Sequence, residues 1–145
     1  MITGLTGEYA HALDSAGRIA LPARFRDAFK GEVVLARLFE QCVSVFTPEG
    51  WESVRGRLNG LDVFQADART MQRLLLSRVF TAEPDRQGRV LLPPRLRQQT
   101  SLEPGQPVTV LGVDDRLELW NPELWAQEQA QWDTQLSAIA ERLHG

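Results

Sequence analysis

A chain of 145 residues is long enough for one ordinary domain or two very small ones. No apolar run approaches the roughly 20 residues that span a bilayer, and Met1 to Gly7 lacks the basic and apolar stretches of a secretion signal, so a cytoplasmic protein without membrane contact is expected. The net charge of −3 argues against a uniformly basic nucleic-acid binder, yet it averages a basic segment, Asp85 to Arg97, with an acidic one, Ser101 to Gly145.

In chain order, Glu8–Leu13 and Arg18–Leu21 alternate as short strands, with Asp14-Ser-Ala-Gly17 between them as a hairpin turn. Asp14 can accept a hydrogen bond from an amide two residues on, and Gly17 can take a positive φ. Pro22 suits the first turn of a helix, and Phe25, Ala28 and Phe29 give that helix an apolar side before Gly31 ends it. A second strand pair follows, Glu32–Arg37 with Cys42–Phe46. The single cysteine, Cys42, falls within that alternation and reads as a small buried hydrophobe rather than a reactive thiol. Thr47-Pro48 then supplies an N-cap and an N1 proline. From Asp67 to Val79, the spacing of Met71, Leu74, Leu75 and Val79 predicts an amphipathic connecting helix.

The chain then begins again. Asp14, Gly17, Arg18, Leu21, Pro22, Arg24 and Arg26 return as Asp85, Gly88, Arg89, Leu92, Pro93, Arg95 and Arg97, all displaced by 71 residues. Val43-Ser-Val-Phe-Thr-Pro-Glu49 returns as Leu117-Glu-Leu-Trp-Asn-Pro-Glu123 at an offset of 74, so three extra residues are expected in the proline- and glycine-bearing stretch Leu102–Pro107. The second half should therefore pair Val108–Val113 with Leu117–Trp120 and start a helix after Asn121-Pro122. That helix carries Trp125, Trp132, Leu136, Ile139 and Leu143 on one seam, suited to the protein's own core or to another copy. Each half reads as ββαββ followed by a helix. Units of about 45 residues bury too little surface to fold alone, so an α+β fold in which the halves share one core is expected. The divisions fall at 7–50 for the first unit, 51–78 for the connecting helices, 79–122 for the second unit and 123–145 for the C-terminal helix.

Two copies of Asp-x-x-Gly-Arg-[Ile/Val]-x-Leu-Pro, each followed by a short Arg-bearing helix, resemble the AbrB/SpoVT swapped-hairpin modules. Their tandem arrangement, with Met71-Gln-Arg-Leu-Leu-Leu76 between them and Glu118-Leu-Trp-Asn-Pro-Glu-Leu-Trp125 near the end, resembles the bacterial MraZ family over nearly the whole chain. The resemblance implies a small pseudo-twofold β-barrel and a DNA-binding transcriptional regulator, chiefly a repressor of its own promoter and of neighbouring division and cell-wall genes. It further implies homo-oligomeric rings on short direct repeats of promoter DNA, hence association with the nucleoid, and DNA contact mainly through the N-terminal copy. The sequence departs from the common pattern in having Ala16 where lysine is frequent, which weakens non-specific phosphate attraction.

The candidate DNA-binding residues are accordingly Arg18, Arg24 and Arg26, with Asp14 and Gly17 positioning the turn. Asp85, Gly88, Arg89, Arg95 and Arg97 form the second-copy motif. A two-stranded ribbon fits a major groove, and arginine can engage guanine O6 and N7 together or clamp phosphates. The residues alone leave a second possibility open, that Arg18 and Arg89 merely stiffen their turns by pairing with Asp14 and Asp85. Catalysis is not expected: His11 and His144 lie at opposite ends without partners at ligand spacing, no phosphate-loop motif occurs, and no carboxylate pair is identifiable. No metal or cofactor is expected. The competing readings are an antitoxin-like regulator that binds a protein partner through its C-terminal helix, and a ring scaffold without DNA.

Overall fold

The computed structural model describes residues 4–144; Met1–Thr3, within the stretch expected to lack a secretion signal, and Gly145, at the end of the expected C-terminal span, lie outside the described residues. The fold is α+β. Its strands are β1 (Leu5–Ala12), β2 (Arg18–Ala20), β3 (Val33–Ala36), β4 (Val43–Phe46), β5 (Val79–Ala82), β6 (Arg89–Leu91), β7 (Pro107–Asp114) and β8 (Leu117–Trp120). Its α-helices are α1 (Pro48–Asn59), α2 (Ala66–Leu76), α3 (Pro94–Thr100) and α4 (Pro122–His144).

Six strands form one antiparallel sheet in the order β1-β7-β8-β4-β3-β5, and β2 and β6 form a separate two-stranded ribbon. The six-strand order is a palindrome under exchange of the two halves. A local twofold runs through the Ser44↔Glu118 pair of the sheet and the Ile19↔Val90 pair of the ribbon. β1 pairs with β7, while β5, its counterpart, pairs with β3. This corrects the expected hairpin: the strands flanking the Asp14–Gly17 turn touch only through one bridge, Leu13↔Ile19, and each otherwise pairs with the other half. The alternation of apolar residues is satisfied by either partner, so the pattern does not choose between them.

Register also corrects the expected insertion. Leu35↔Phe80 and Val110↔Tyr9 are equivalent pairs, which sets Leu35 against Val110 at an offset of 75, while Val43 and Leu117 retain 74. The second half has gained four residues before β7 and lost one between β7 and β8.

The sheet is covered on both sides, which is why β3, β4 and β8 are buried along their whole length. On one side, Val33, Leu35, Val43, Val45, Val110, Leu117 and Leu119 pack against Ile19, Leu21, Phe25, Val90, Leu92 and Leu96 from the ribbon and short helices, so the largest core draws on both halves. On the other, Phe46, Trp51, Leu58 and Leu75 pack under α1 and α2, and Trp120 and Leu111 under the start of α4. In α2, Leu75 is buried but Leu74 is half exposed, and Val79 belongs to β5 rather than to the helix.

The capping residues act as their types dictate. Thr47 Oγ1 accepts from the Gly50 amide at 3.1 Å, and Asn121 Oδ1 accepts from Glu123 and Leu124 at 2.9 and 3.2 Å. The helix expected after Pro22 is shorter than predicted, a 3₁₀ turn over Ala23–Phe25 followed by further turns, whereas its counterpart α3 is a true helix. Pro94 presets φ at the first position of α3, and Ala23 provides no such constraint. The buried Phe25 and Phe29 are held instead by i to i+3 bonds, Phe25 N to Pro22 O at 2.8 Å and Phe29 N to Arg26 O at 3.2 Å.

Cys42 is 3% exposed, and burial, reinforced by the negative charges of Glu118 and Glu40, raises its thiol far above the ordinary value, which keeps it protonated. Gly112, in β7 where it pairs with β1, has no room for a side chain: a Cβ there would lie 2.5 Å from the Thr6 nitrogen and 2.8 Å from the Leu5 carbonyl carbon. Gly112→Ala should splay β1 from β7 and cost about 1–3 kcal/mol, read from the urea midpoint. An unchanged midpoint would contradict this packing.

Candidate nucleic-acid interface

The two Asp-x-x-Gly-Arg segments fold into the same hydrogen-bonded turn. Asp14 O accepts from the Gly17 amide at 3.0 Å, and Asp14 Oδ1 accepts from the amides of Ala16 and Arg18 at 2.9 and 2.8 Å. Asp85 does the same with Gly88, Gln87 and Arg89, each at 2.9 Å. Gly17 and Gly88 sit at φ 84° and 75°, which a Cβ disfavours, so glycine is required by the backbone itself. The tips of the turns, Ser15-Ala16 and Arg86-Gln87, are exposed.

Around the local twofold the four charged motif residues form a crossed quartet. Arg18 Nε donates to Asp14 Oδ2 at 3.0 Å and Arg89 Nε to Asp85 Oδ2 at 2.8 Å, while Arg18 Nη1 lies 4.0 Å from Asp85 and Arg89 Nη1 lies 3.6 Å from Asp14. Each arginine thus faces an acid of either half. The side chains are about one-third exposed, so their outer edges remain open to solvent. Solvent-screened pairs of this kind add little to stability, and their main effect is to fix the direction of the guanidinium groups.

The same bonds hold the Asp14 and Asp85 carboxyls below their ordinary pKa. The chief cause for each is the backbone N–H of the following arginine, Arg18 or Arg89; partial burial opposes it, and the remaining amide and guanidinium contacts reinforce it. A carboxylate with a depressed native pKa stabilises the fold above its unfolded value, and that stabilisation disappears as pH falls through the lowered native value. The thermal midpoint should therefore drop below about pH 4, and Asp14→Asn with Asp85→Asn should flatten that limb. Identical acid limbs in both proteins would contradict the assignment.

The other motif arginines lie elsewhere than expected. Arg26 donates from Nε to Leu21 O at 3.1 Å and packs over Gly88, the turn of the opposite half, while Arg97 donates to Leu92 O at 3.2 Å and packs over Gly17. Each short helix therefore braces the other half's turn, not its own. Arg24 donates to Tyr9 Oη at 2.9 Å beside the Phe25 ring, and Tyr9 stands edge-on to that ring at 5.5 Å. Arg95 is exposed and makes no side-chain hydrogen bond or ion pair among the described residues. The ribbon brings Asp14, Arg18, Asp85 and Arg89 together, and sets Arg26 and Arg97 beside the opposite turns. Tyr9 was not foreseen, because its link to Arg24 joins strand and turn segments 15 residues apart.

Among the described residues no group of three or more His, Cys, Asp or Glu is arranged to hold a metal ion. Nor, among the described residues, is any helix long and apolar enough to cross a membrane.

This arrangement defines a class: tandem-repeat α+β proteins whose two arginine-bearing turns meet on a ribbon contributed by both repeats. The model of a family described as "MraZ protein, putative antitoxin-like" matches residues 5–74 and again 75–145. A protein of Thermomicrobium roseum named transcriptional regulator MraZ is 38% identical over 137 residues, covering 94% of this chain and 95% of the relative. Like-named proteins of Thermoanaerobacter sp. (strain X514) and Roseiflexus castenholzii are 34% and 36% identical, covering 96% and 94% of this chain and equal shares of their own lengths. The chain belongs to the MraZ family.

Proposed function

We propose that this protein is a sequence-specific DNA-binding transcriptional regulator that represses its own promoter and an adjacent cluster of division and cell-wall genes. It acts in the cytoplasm, at the nucleoid, and performs no catalysis. The observation that carries this reading is the doubled arginine-bearing turn: two guanidinium groups, oriented by acids of both halves yet partly open to solvent, stand on one short ribbon. The relatives' shared name, transcriptional regulator, supports it. The units 7–50 and 79–122, joined by 51–78, then constitute one swapped-hairpin barrel of the AbrB/SpoVT type, a description that the exchange of β2 and β6 across the halves supports.

Arg18 reads base edges, and Arg24 and Arg26 clamp phosphates. The turns positioned by Asp14 and Gly17 hold them in place, and the second copy, with Asp85, Gly88, Arg89, Arg95 and Arg97, supports the first. One copy of such a surface binds weakly, because a few phosphate contacts give micromolar or poorer affinity at physiological salt. A homo-oligomeric ring on successive direct repeats raises the local concentration for each further contact. Footprinting of DNA upstream of the protein's own gene should show protected segments at regular spacing, and uniform or absent protection would contradict the reading.

A second reading has its own observation. Leu136 and Leu143 on the distal part of α4 are 63% and 85% exposed, so this end of the predicted seam is not packed on the protein's core. A partner protein, as in an antitoxin, or a neighbouring copy in the ring would cover it. Rapid proteolytic trimming of the C-terminal segment in the protein alone would favour the partner.

A further inference from the structure

The internal repeat provides its own control, because each site in one half has a counterpart in the other. Beside the second turn lies a cleft of about 290 Å³, formed where the first half's short helical segment meets the second half's turn and lined by Arg26, Lys30, Arg86, Gln87 and Gly88. Arg26 forms its floor, fitting over Gly88 with Nε 3.1 Å from where a Cβ would stand, and its Nε–H is already given to Leu21 O. Its terminal amino groups remain. Arg86, exposed at the tip of the turn, makes no side-chain hydrogen bond or ion pair among the described residues. Lys30 has only an exposed contact with Asp27 at 3.5 Å, and the lining carboxylate of Asp85 is engaged by Arg89 and two backbone amides.

The counterpart positions, displaced by 71 residues, are Arg97, Ser101, Ser15, Ala16 and Gly17. The brace and the glycine are kept there, as the turn requires, but two of the three cations are replaced by serine. Folding therefore does not need Lys30 and Arg86, since the other turn is built without them. Asp27 likewise gives way to Gln98, so the lining of this cleft differs from the residues at the counterpart positions by two cations and one anion.

Taking the DNA-binding reading above as its basis, we infer that this cleft is a phosphate site: Arg26 and Lys30 from one half and Arg86 from the other bind a backbone phosphodiester of the duplex. The site is composite, so neither half can form it alone. It is also one-sided, which breaks the pseudo-twofold symmetry and gives each subunit a single polarity on DNA. A site of this kind sets register and adds affinity without reading sequence.

The test is a titration of the full chain, wild type and Lys30→Ser with Arg86→Ser, against duplex from upstream of its own gene and a scrambled duplex at several salt concentrations. These substitutions install the residues found at the counterpart positions, so folding should persist and is checked by thermal unfolding. The double variant should bind both duplexes roughly tenfold more weakly, with a salt slope shallower by about 0.9 for each phosphate no longer neutralised and an unchanged preference between duplexes. The reciprocal Ser15→Arg with Ser101→Lys should steepen the slope. If the double variant keeps wild-type affinity and slope while the wild type still prefers its upstream DNA, the phosphate site is refuted and the DNA-binding reading survives. A wild type without salt-dependent affinity for either duplex refutes both.

Discussion

Arg18→Ala should lose promoter-specific binding by at least about 100-fold while the protein stays folded and its assembly size is unchanged. A bidentate arginine bond to a base is worth about 1–3 kcal/mol, and every subunit of an oligomer on repeated sites is deprived of it in the same way. Stability should change little, because Asp14 keeps its backbone donors at 2.9 and 2.8 Å and Arg89 remains 3.6 Å away. The local twofold supplies a control in Arg89→Ala. If the quartet only stiffens the turns, the two variants should behave alike, since their surroundings are nearly the same. If the N-terminal copy carries base recognition, Arg18→Ala should be the far more damaging of the two for DNA binding and equal to the other in stability. Equal promoter affinity for Arg18→Ala and wild type would remove Arg18 from the interface.

The second large effect concerns the opposite side of the sheet. Trp120 is 1% exposed, its ring packs at 5.4 Å from Trp125 and 6.1 Å from Trp132, and its Nε1 donates to the buried Glu118 at 3.1 Å. Glu118 is also held by Arg116 at 3.2 Å. Trp120→Ala should cost about 3–5 kcal/mol, from reduced burial and the cavity left behind. It removes the only core residue among the three tryptophans, so α4 should detach before the sheet melts, seen as early protease cleavage between residues 122 and 144. Trp125 Nε1 also donates to Glu8 at 2.9 Å, so β1 should loosen with it. A variant with wild-type stability and an intact, protected C-terminal helix would show that α4 is held elsewhere, by its distal seam.

The sequence was most informative where structure is local. The Asp-x-x-Gly-Arg turns form as their residue types require, since carboxylate, glycine and following amides lie within five positions. The Thr47 and Asn121 caps formed for the same reason. What could not be read was the partner of each strand. Exchange of β2 and β6 between halves leaves Ile19 and Val90 facing the core, so periodicity is blind to it. The crossing ion pairs and the bracing of Gly88 by Arg26 follow from that exchange and were hidden with it. The two offsets concealed an additional shift, because four residues gained before β7 and one lost after it leave the net difference at three. In α4 the seam is interrupted at Gln129, and only its first members, Trp125 and Trp132, pack partly buried against the Trp120 cluster, while Leu136 and Leu143 are exposed.

The most direct measurement is a titration of the intact wild-type protein against duplexes from upstream of its own gene bearing one, two or more direct repeats, beside a scrambled duplex, at several salt concentrations. Selective binding that steepens with each added repeat and weakens with salt is the predicted result. Equal, weak binding to every duplex, regardless of repeat number, would contradict a multivalent operator-binding regulator and direct attention to a protein partner for α4.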